Sequence, residues 1–449
     1  MANQAKTQHS SYEPRHAGGR SRRSYGNDKR SWAAISSGST RRAWLTALDQ
    51  GIASASNFAI GAVVGRVTGP SGLGAFALAY TGWILLINLH RSLITDPMAI
   101  LGDVRDQERE ARLRTGLAGE MVLAVFAMAI LSVAGALLAL SRHVMFGDGL
   151  LALAPWVAVL NVQDYWRWAG FLLGKPEKAL MNDLLFDVVQ AIAFVTVLVS
   201  HTTSVFAVVG AWGIGASAAA LYGLRQFRLR PTLRGGLGLL WTRWRLSKWL
   251  VSASFTSWAS GSVSSLVVAS LLGASALGGL KAGNTLAWGP LAIVMQAGTS
   301  FGLPEASRML ADRGRQGLRK VSRLISGVGA GVAVLSLLAI VVDGRGLLRL
   351  LYGAPFARYW TVTVVLAISF ILTTLTLGPV LSLKALARVR PLFVVQLGTT
   401  VVSLGATVIG CSVWGLEGAA AATVMTACVS LGAILLLLHR VTMSGVAVA

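Results

Sequence analysis

The chain has 449 residues, of which 54% are hydrophobic and only 13% are charged, and its mean hydropathy is +0.64. Soluble proteins carry about 25% charged residues, so this composition excludes an ordinary soluble domain and predicts an all-α polytopic membrane protein. The net charge of +22 does not indicate a nucleic-acid partner, because the basic residues lie between apolar runs without the interleaved aromatic residues of a base-stacking surface.

The N-terminal segment, residues 1–43, is rich in Gly, Ser, Arg and Lys and has few apolar positions. This pattern predicts a disordered, basic cytoplasmic tail rather than a cleavable signal peptide. Its nine Lys and Arg residues would hold the tail against anionic membrane lipids.

Twelve apolar runs follow the tail, and each approaches or exceeds the roughly 20 residues that a helix needs to cross the hydrocarbon core. Their approximate limits are 44–67, 73–97, 115–141, 149–173, 181–201, 204–224, 248–272, 276–303, 321–343, 359–384, 391–412 and 416–438. The predicted domains are a six-helix N-terminal lobe (44–224), a cytoplasmic amphipathic linker (225–247), a six-helix C-terminal lobe (248–440) and a cytoplasmic tail (441–449).

The distribution of basic residues predicts the orientation of these spans. Of the 40 Lys and Arg residues, 32 lie on the side of the N-terminus, five lie on the opposite side and three lie within spans. The five are Arg66, Arg142, Arg345, Arg349 and Arg358. Since cytoplasmic loops carry the excess of positive charge, both termini are expected in the cytoplasm and the chain in the plasma (inner) membrane.

An internal repeat relates the two lobes. The stretch "VGRVTGPSGLG" at 64–74 resembles "VASLLGASALG" at 268–278, at an offset of 204 residues. Both copies end an odd-numbered span, so the lobes share one orientation and form a parallel repeat around a central cavity.

Charged residues within spans require an explanation, because each costs about 2.5–3.5 kcal/mol on insertion scales. Arg91 and Arg167 are candidates for binding an anionic substrate, since a guanidinium donates paired hydrogen bonds to phosphate oxygens. Candidates for pairing with these arginines, or for binding a coupling ion such as H⁺ or Na⁺, are Asp49, Glu120, Asp164 and Asp187. The alternative interpretation is that these charges pair with one another and only fix helix packing.

The first span has one polar half. Asp49, Gln50 and Asn57 fall on the same half of a helical wheel, while apolar residues occupy the other. Asp49 and Arg91 lie equally far from the turn at Pro70, so a pair between them is predicted. Gln50 and Asn57 are therefore candidate cavity residues that contact the substrate.

The opening spans resemble those of the polysaccharide flippases (O-antigen and teichoic-acid type) of the multidrug/oligosaccharidyl-lipid/polysaccharide exporter superfamily. These proteins share a D-Q-x-x-x-S-x-x-N-F-like first helix, a G-P-x-x-x-G turn and an R-x-x-x-x-[DE]-P end to the second helix. The matching positions are Asp49, Gln50, Ser54, Asn57, Phe58, Gly69, Pro70, Gly74, Arg91, Asp96 and Pro97.

The resemblance implies a flippase that moves a polyprenyl-diphosphate-linked oligosaccharide, a cell-envelope precursor, from the inner to the outer leaflet by alternating access. It also implies that Arg91 and Arg167 contact the diphosphate, and that an envelope polysaccharide polymerase or glycosyltransferases are partners. No cofactor, metal or catalytic residue is predicted. A drug cation antiporter of the same superfamily is the alternative, and a membrane-embedded sugar ligase is the third interpretation.

Overall fold

A computed structural model of the chain describes residues 28–100, 106–141, 144–232, 236–386 and 388–443. Within these ranges, the side chains outside the description are those of residues 28–50, 52–54, 57, 99–100, 106–109, 236–243, 293, 296–301, 304, 389 and 442. Residues from Leu45 onward form one compact unit.

The described residues form helices and no strands. The elements are α1 (Asp28–His90), a π-helical segment (Arg91–Thr95), α2 (Asp96–Ile100), α3 (Asp106–Ala139), α4 (Val144–Leu153), α5 (Val157–Leu172), α6 (Pro176–Val199), α7 (Val205–Phe227), α8 (Gly236–Tyr352), a 3₁₀ helix (Ala354–Tyr359), α9 (Trp360–Ala385) and α10 (Val389–Met443).

Within the described ranges, eight helices are long and apolar enough to cross a membrane, or nine if α4 and α5, bent by 51°, form one span. Four of the eight are 41–52 residues long, about twice the length that one crossing needs. Gly69 in α1, Gly273 and Gly314 in α8, and Gly415 in α10 break these helices with positive φ angles, which glycine adopts without steric cost. With α4 and α5 counted as one span, division at Gly69, Gly273 and Gly415 yields twelve apolar segments, whereas Gly314 only bounds the polar stretch 305–313.

The surface of these helices suits a lipid environment. Large apolar side chains such as Phe126, Leu137, Val199 and Val342 are more than half exposed. In water this surface would be costly, whereas in a bilayer it contacts acyl chains. The prediction of an all-α, multi-pass membrane protein with about twelve spans is confirmed.

Two of the predicted domain limits, 224/225 and 440/441, lie within three residues of a helix end, whereas 43/44 and 247/248 lie inside α1 and α8. The helix α7 ends at Phe227 and α8 begins at Gly236, inside the predicted linker 225–247. The helix α1 begins at Asp28 and overlaps the predicted tail 1–43, of which residues 1–27 lie outside the description. The domain limits stay predictions.

The two copies of the internal repeat cross each other through their backbones. Gly69 has φ 69° and ψ −171°, and Gly273, 204 residues later, has φ 82° and ψ −177°. A Cβ on Gly74 would lie 1.9 Å from the carbonyl oxygen of Ala274, and a Cβ on Gly278 would lie 1.8 Å from that of Pro70. The contact is reciprocal, because Ala274 is the repeat equivalent of Pro70. We call Pro70, Gly74, Ala274 and Gly278 the glycine crossing.

We expect Gly278→Ala to separate the two halves at the glycine crossing. The added methyl group would overlap the carbonyl oxygen of Pro70, and overpacking of this kind costs about 1–3 kcal/mol. The measurement uses spin labels at Arg66→Cys and Ser270→Cys, which are exposed and lie 204 residues apart. We expect double electron–electron resonance to show a longer distance between the two labels than in the protein with Gly278.

The control for this variant is Gly327→Ala, since nothing lies within 4 Å of a Cβ built on Gly327. Both native cysteines, Cys411 and Cys428, are replaced by Ser in this experiment. An unchanged distance distribution in folded Gly278→Ala protein would contradict the close backbone contact.

Candidate functional site

A cavity with a volume of about 980 Å³ lies between the two halves of the chain. Its walls come from residues 77–88 of α1, 257–295 of α8, 366–384 of α9 and 392–434 of α10. One end of the cavity begins at the glycine crossing, at Ala77, three residues after Gly74, and at Leu277, directly before Gly278. The second half of the chain therefore supplies most of the cavity wall.

Hydroxyl and carboxamide groups dominate the polar part of this wall. They lie at helical spacing along three helices: Ser257, Ser260, Ser264 and Ser265 on α8, Ser369, Thr373 and Thr376 on α9, and Gln396, Thr400 and Ser403 on α10. Two pairs bridge α8 and α10, with oxygen–oxygen distances of 2.7 Å for Ser260 and Thr400 and 3.2 Å for Ser264 and Ser403. Such a surface can exchange hydrogen bonds with a polyhydroxylated ligand.

The cavity wall is positively charged. Among the described residues that line it, Lys281 and Lys384 are the charged ones, and no carboxylate is present. The Nζ atom of Lys281 lies 5.1 Å from the ring centroid of Tyr80, a distance at which a cation and an aromatic face attract each other. The ring of Tyr80 thus holds the Lys281 ammonium group in the cavity wall.

The charges of the first half are paired outside this cavity. Arg91 opens the π-helical segment, and its Nε and Nη2 atoms donate to the two carboxylate oxygens of Asp164, the Nε contact at 2.8 Å. In the next turn of α5, the Nε atom of Arg167 lies 2.9 Å from Oδ2 of Asp183. Each guanidinium is thus largely neutralised by an aspartate on a neighbouring helix.

A second polar cluster surrounds His90, the residue before the π-helical segment. The Nδ1 atom of His90 lies 2.6 Å from Oε1 of Glu120 and 3.2 Å from Nδ2 of Asn161. His90 and Glu120 are only 4% and 3% exposed, so in these nearly dry surroundings each side chain depends on the other for its hydrogen bond.

The π-helical segment also contacts the second half of the chain. The Oγ atoms of Ser92 and Ser254 lie 2.6 Å apart. A π-helical segment carries an extra residue in its turn and is often found at functional sites. Here it connects the paired charges of the first half to α8.

The described residues among the predicted site residues make separate contacts. Asp164 pairs with Arg91, Glu120 with His90, and Asp187 accepts a hydrogen bond from Ser56 at 2.6 Å. Arg91 and Arg167 are not among the residues that line the cavity. The side chains of Asp49, Gln50 and Asn57 lie outside the described residues. Substrate contact by any of these residues stays a prediction.

Sequence reasoning missed two parts of the site. His90 was passed over because it belongs to no metal-ligand spacing, although a histidine inside an apolar span is itself a signal. The hydroxyl groups of α8 and α10 recur every three to four residues, as in "SWASGSVSS" at 257–265, which is the pattern of a polar helix face. Among described residues, no group of three or more His, Cys, Asp or Glu could hold a metal ion.

Comparison with known proteins supports the resemblance seen in the sequence. Residues 176–342 match a family described as "Polysaccharide biosynthesis protein". A search of curated proteins found no match.

Several solved structures share the fold. The chain is similar to an inward-facing multidrug resistance MATE family transporter of the MOP superfamily (12% identity, TM-score 0.65, covering 88% of this chain and 96% of that one). It is also similar to the lipid II flippase MurJ in an inward closed conformation (11% identity, TM-score 0.67, 89% and 87%). A third similar structure is a MOP superfamily transporter from Pyrococcus furiosus (13% identity, TM-score 0.57, 89% and 94%). The predicted resemblance to flippases and exporters of this superfamily is confirmed.

We expect Asp183→Ala to destabilise the protein by about 3 kcal/mol, because it leaves the guanidinium of Arg167 in the membrane without this carboxylate. The side chains of Arg167 and Asp183 are 19% and 8% exposed. The measurement is the free energy of unfolding in detergent micelles. As a control, Glu305→Ala removes the exposed pair with Arg308 and should cost less than about 1 kcal/mol. Equal losses in both variants would contradict a buried ion pair.

The His90–Glu120 contact can be tested by a double-mutant cycle with His90→Gln and Glu120→Gln. We expect a coupling energy of roughly 1–3 kcal/mol, as for buried residues in direct contact. Unfolding free energies of the two single variants and the double variant, measured in the same detergent, provide the value. Strictly additive losses would show that the two side chains do not interact.

Proposed function

We propose that this chain, which has the fold of the MOP superfamily exporters, is a flippase for a polyprenyl-diphosphate-linked oligosaccharide. It would move this cell-envelope precursor from the inner to the outer leaflet of the plasma membrane. The observation that carries the proposal is the charge of the cavity: two lysines and no carboxylate among its described lining residues. Such a cavity attracts an anion and repels a cation.

Each part of the cavity suits one part of this substrate. Lys281 would bind the diphosphate, since an ammonium group is a common phosphate ligand. The hydroxyl and carboxamide groups of α8, α9 and α10 would form hydrogen bonds with the sugar. Tyr80 and Trp258, which also line the cavity, offer aromatic faces to sugar rings. The prenyl chain would remain in the bilayer, between the two lobes.

Lys281 is a better candidate for the phosphate ligand than the arginines of the first half. Arg91 and Arg167 are bound to Asp164 and Asp183, so an anion would have to compete with a carboxylate for each guanidinium. Lys281 lies in the cavity wall. At a rise of 1.5 Å per residue, it is about 12 Å along α8 from the helix break at Gly273. In the proposed mechanism the arginine pairs hold the first lobe rigid while Lys281 contacts the substrate.

The fold does not distinguish a flippase from a drug antiporter, because multidrug transporters and a lipid II flippase both share it. A cationic drug would require carboxylates in the cavity, and the described wall offers none. The proposed activity forms and breaks no covalent bond, so we propose a transporter rather than an enzyme. We further propose cytoplasmic termini, from the excess of basic residues on that side.

The direct test is leaflet transfer in proteoliposomes that contain a fluorescent prenyl-diphosphate saccharide. Quenching by an impermeant reagent measures the fraction of substrate in the outer leaflet over time. We expect transfer by the wild-type protein and an initial rate about tenfold lower for Lys281→Gln, which corresponds to the loss of one charge-assisted hydrogen bond.

The matched control is Lys320→Gln, which removes an exposed lysine of α8 outside the cavity and should leave the rate unchanged. Absence of transfer by folded wild-type protein, together with export of a cationic dye in parallel vesicles, would favour the antiporter. Equal rates for Lys281→Gln and wild type would remove Lys281 from the proposed mechanism.

A further inference from the structure

A second cavity, of about 540 Å³, lies where α8 ends and α9 begins. Asp343, Arg345, Gly346, Arg349, Ala357, Arg358, Trp360 and Thr361 line it, and we call it the arginine pocket. The 3₁₀ helix Ala354–Tyr359 forms one of its sides. It shares no lining residue with the cavity of about 980 Å³ that Lys281 lines, so the two sites are separate.

The arginine pocket carries an excess of positive charge. Its three arginines are exposed and face a single carboxylate, that of Asp343. One oxygen of Asp343 accepts a hydrogen bond from the backbone N–H of Gly346 at 3.1 Å, so this carboxylate is engaged by its own turn.

The position of these arginines in the chain is unusual for a membrane protein. The charge distribution assigns only five of the 40 basic residues to the side opposite the termini, and three of the five line this pocket. Loops on that side normally lack Lys and Arg. A cluster of three at one point, with most of the side free of basic residues, is the arrangement expected of an anion site.

Two of the guanidinium groups are held by aromatic rings. The guanidinium carbon of Arg345 lies 5.0 Å from the ring centroid of Trp360, and that of Arg358 lies 4.8 Å from the ring of Tyr359. Arg358 also donates from Nη2 to the Tyr359 hydroxyl at 2.6 Å. Stacking of this kind orients the plane of a guanidinium and lowers the entropy lost when it binds a ligand. Arg349 has no such ring contact and remains free to approach a bound anion.

We propose that the arginine pocket binds the phosphate of an anionic lipid headgroup. A planar guanidinium donates two parallel hydrogen bonds to phosphate oxygens, and a volume of about 540 Å³ is within the roughly 300–1,000 Å³ range of small-ligand sites. Two lipids present this chemistry: an anionic glycerophospholipid and a prenyl-diphosphate carrier. The site stands on its own geometry and does not require the proposed flippase activity.

The pocket is physically connected to the glycine crossing. The Tyr359 hydroxyl, which accepts from Arg358, donates to the backbone oxygen of Ser275 at 3.0 Å. The Tyr359 ring packs directly on Gly279, where an added Cβ would lie 2.4 Å from a ring carbon. The Tyr352 ring packs on Gly65 in the same way, with a ring carbon 2.7 Å from an added Cβ. A phosphate bound at Arg358 would therefore lie one side chain away from the contact between the two lobes.

The test is native mass spectrometry of the full-length protein in a neutral detergent. Geranylgeranyl diphosphate is compared with geranylgeraniol, and phosphatidylglycerol with diacylglycerol, so that each pair differs in its phosphate. We expect binding of the phosphate-bearing lipids and affinity lowered about tenfold by Arg349→Gln, as for the loss of a charge-assisted hydrogen bond. Arg349→Lys, which keeps the charge and loses the planar fork, should fall in between.

The matched control is Arg66→Gln, which removes an exposed arginine assigned to the same side but outside the pocket, and should change affinity less than twofold. An effect of Arg349→Gln on the diphosphate alone would identify the carrier as the source, and an effect on phosphatidylglycerol alone would identify a glycerophospholipid. Equal weakening by Arg349→Gln and Arg66→Gln, or equal binding of lipids without phosphate, would overturn the proposal. Melting temperatures of all variants check that they are folded.

Discussion

The two halves of the chain meet at a point where backbone packs directly on backbone. At the glycine crossing, Gly74 and Gly278 each leave room for the carbonyl oxygen of the opposite copy, and any side chain larger than hydrogen would force the halves apart. Helices that touch this closely at one end and diverge beyond it necessarily leave space between them. The cavity begins at this contact, at Ala77 and Leu277, so its position follows from the crossing.

Charge is distributed unequally between the two halves. In the described part of the first half, Arg91 contacts Asp164 and the buried His90 contacts Glu120, and such pairing is expected because hydrocarbon gives an unpaired ion no solvation. The cavity wall is built mainly by the second half, and among its described lining residues Lys281 has an aromatic neighbour and no carboxylate beside it. An ammonium group in such a wall keeps its charge only beside water or an anionic ligand.

Both proposed phosphate sites are close to the glycine crossing along the chain or through a contact. Lys281, in the cavity wall, follows Gly278 by three residues, and the arginine pocket is joined to the crossing by the contact of Tyr359 with Ser275. In a flippase this arrangement would place a cationic site along the path of the headgroup before and after the lobes rearrange. The same geometry would also let an anionic lipid act on the contact between the lobes.

The sequence by itself determined the class of the protein, the number of spans and the repeat. Apolar runs near 20 residues and the clustering of Lys and Arg depend only on local composition, and the repeat at 64–74 and 268–278 predicted the offset at which Gly69 and Gly273 later proved to share one backbone conformation. Only the tertiary structure decided which charges meet. Equal depth in the membrane predicts a pair between Asp49 and Arg91, which stays a prediction because the Asp49 side chain lies outside the described residues. Depth alone specifies neither the neighbouring helix nor the direction in which a side chain points. Helix packing brought Asp164 to Arg91, left Lys281 in the cavity wall, and gathered three arginines from α8 and the 3₁₀ helix into one pocket.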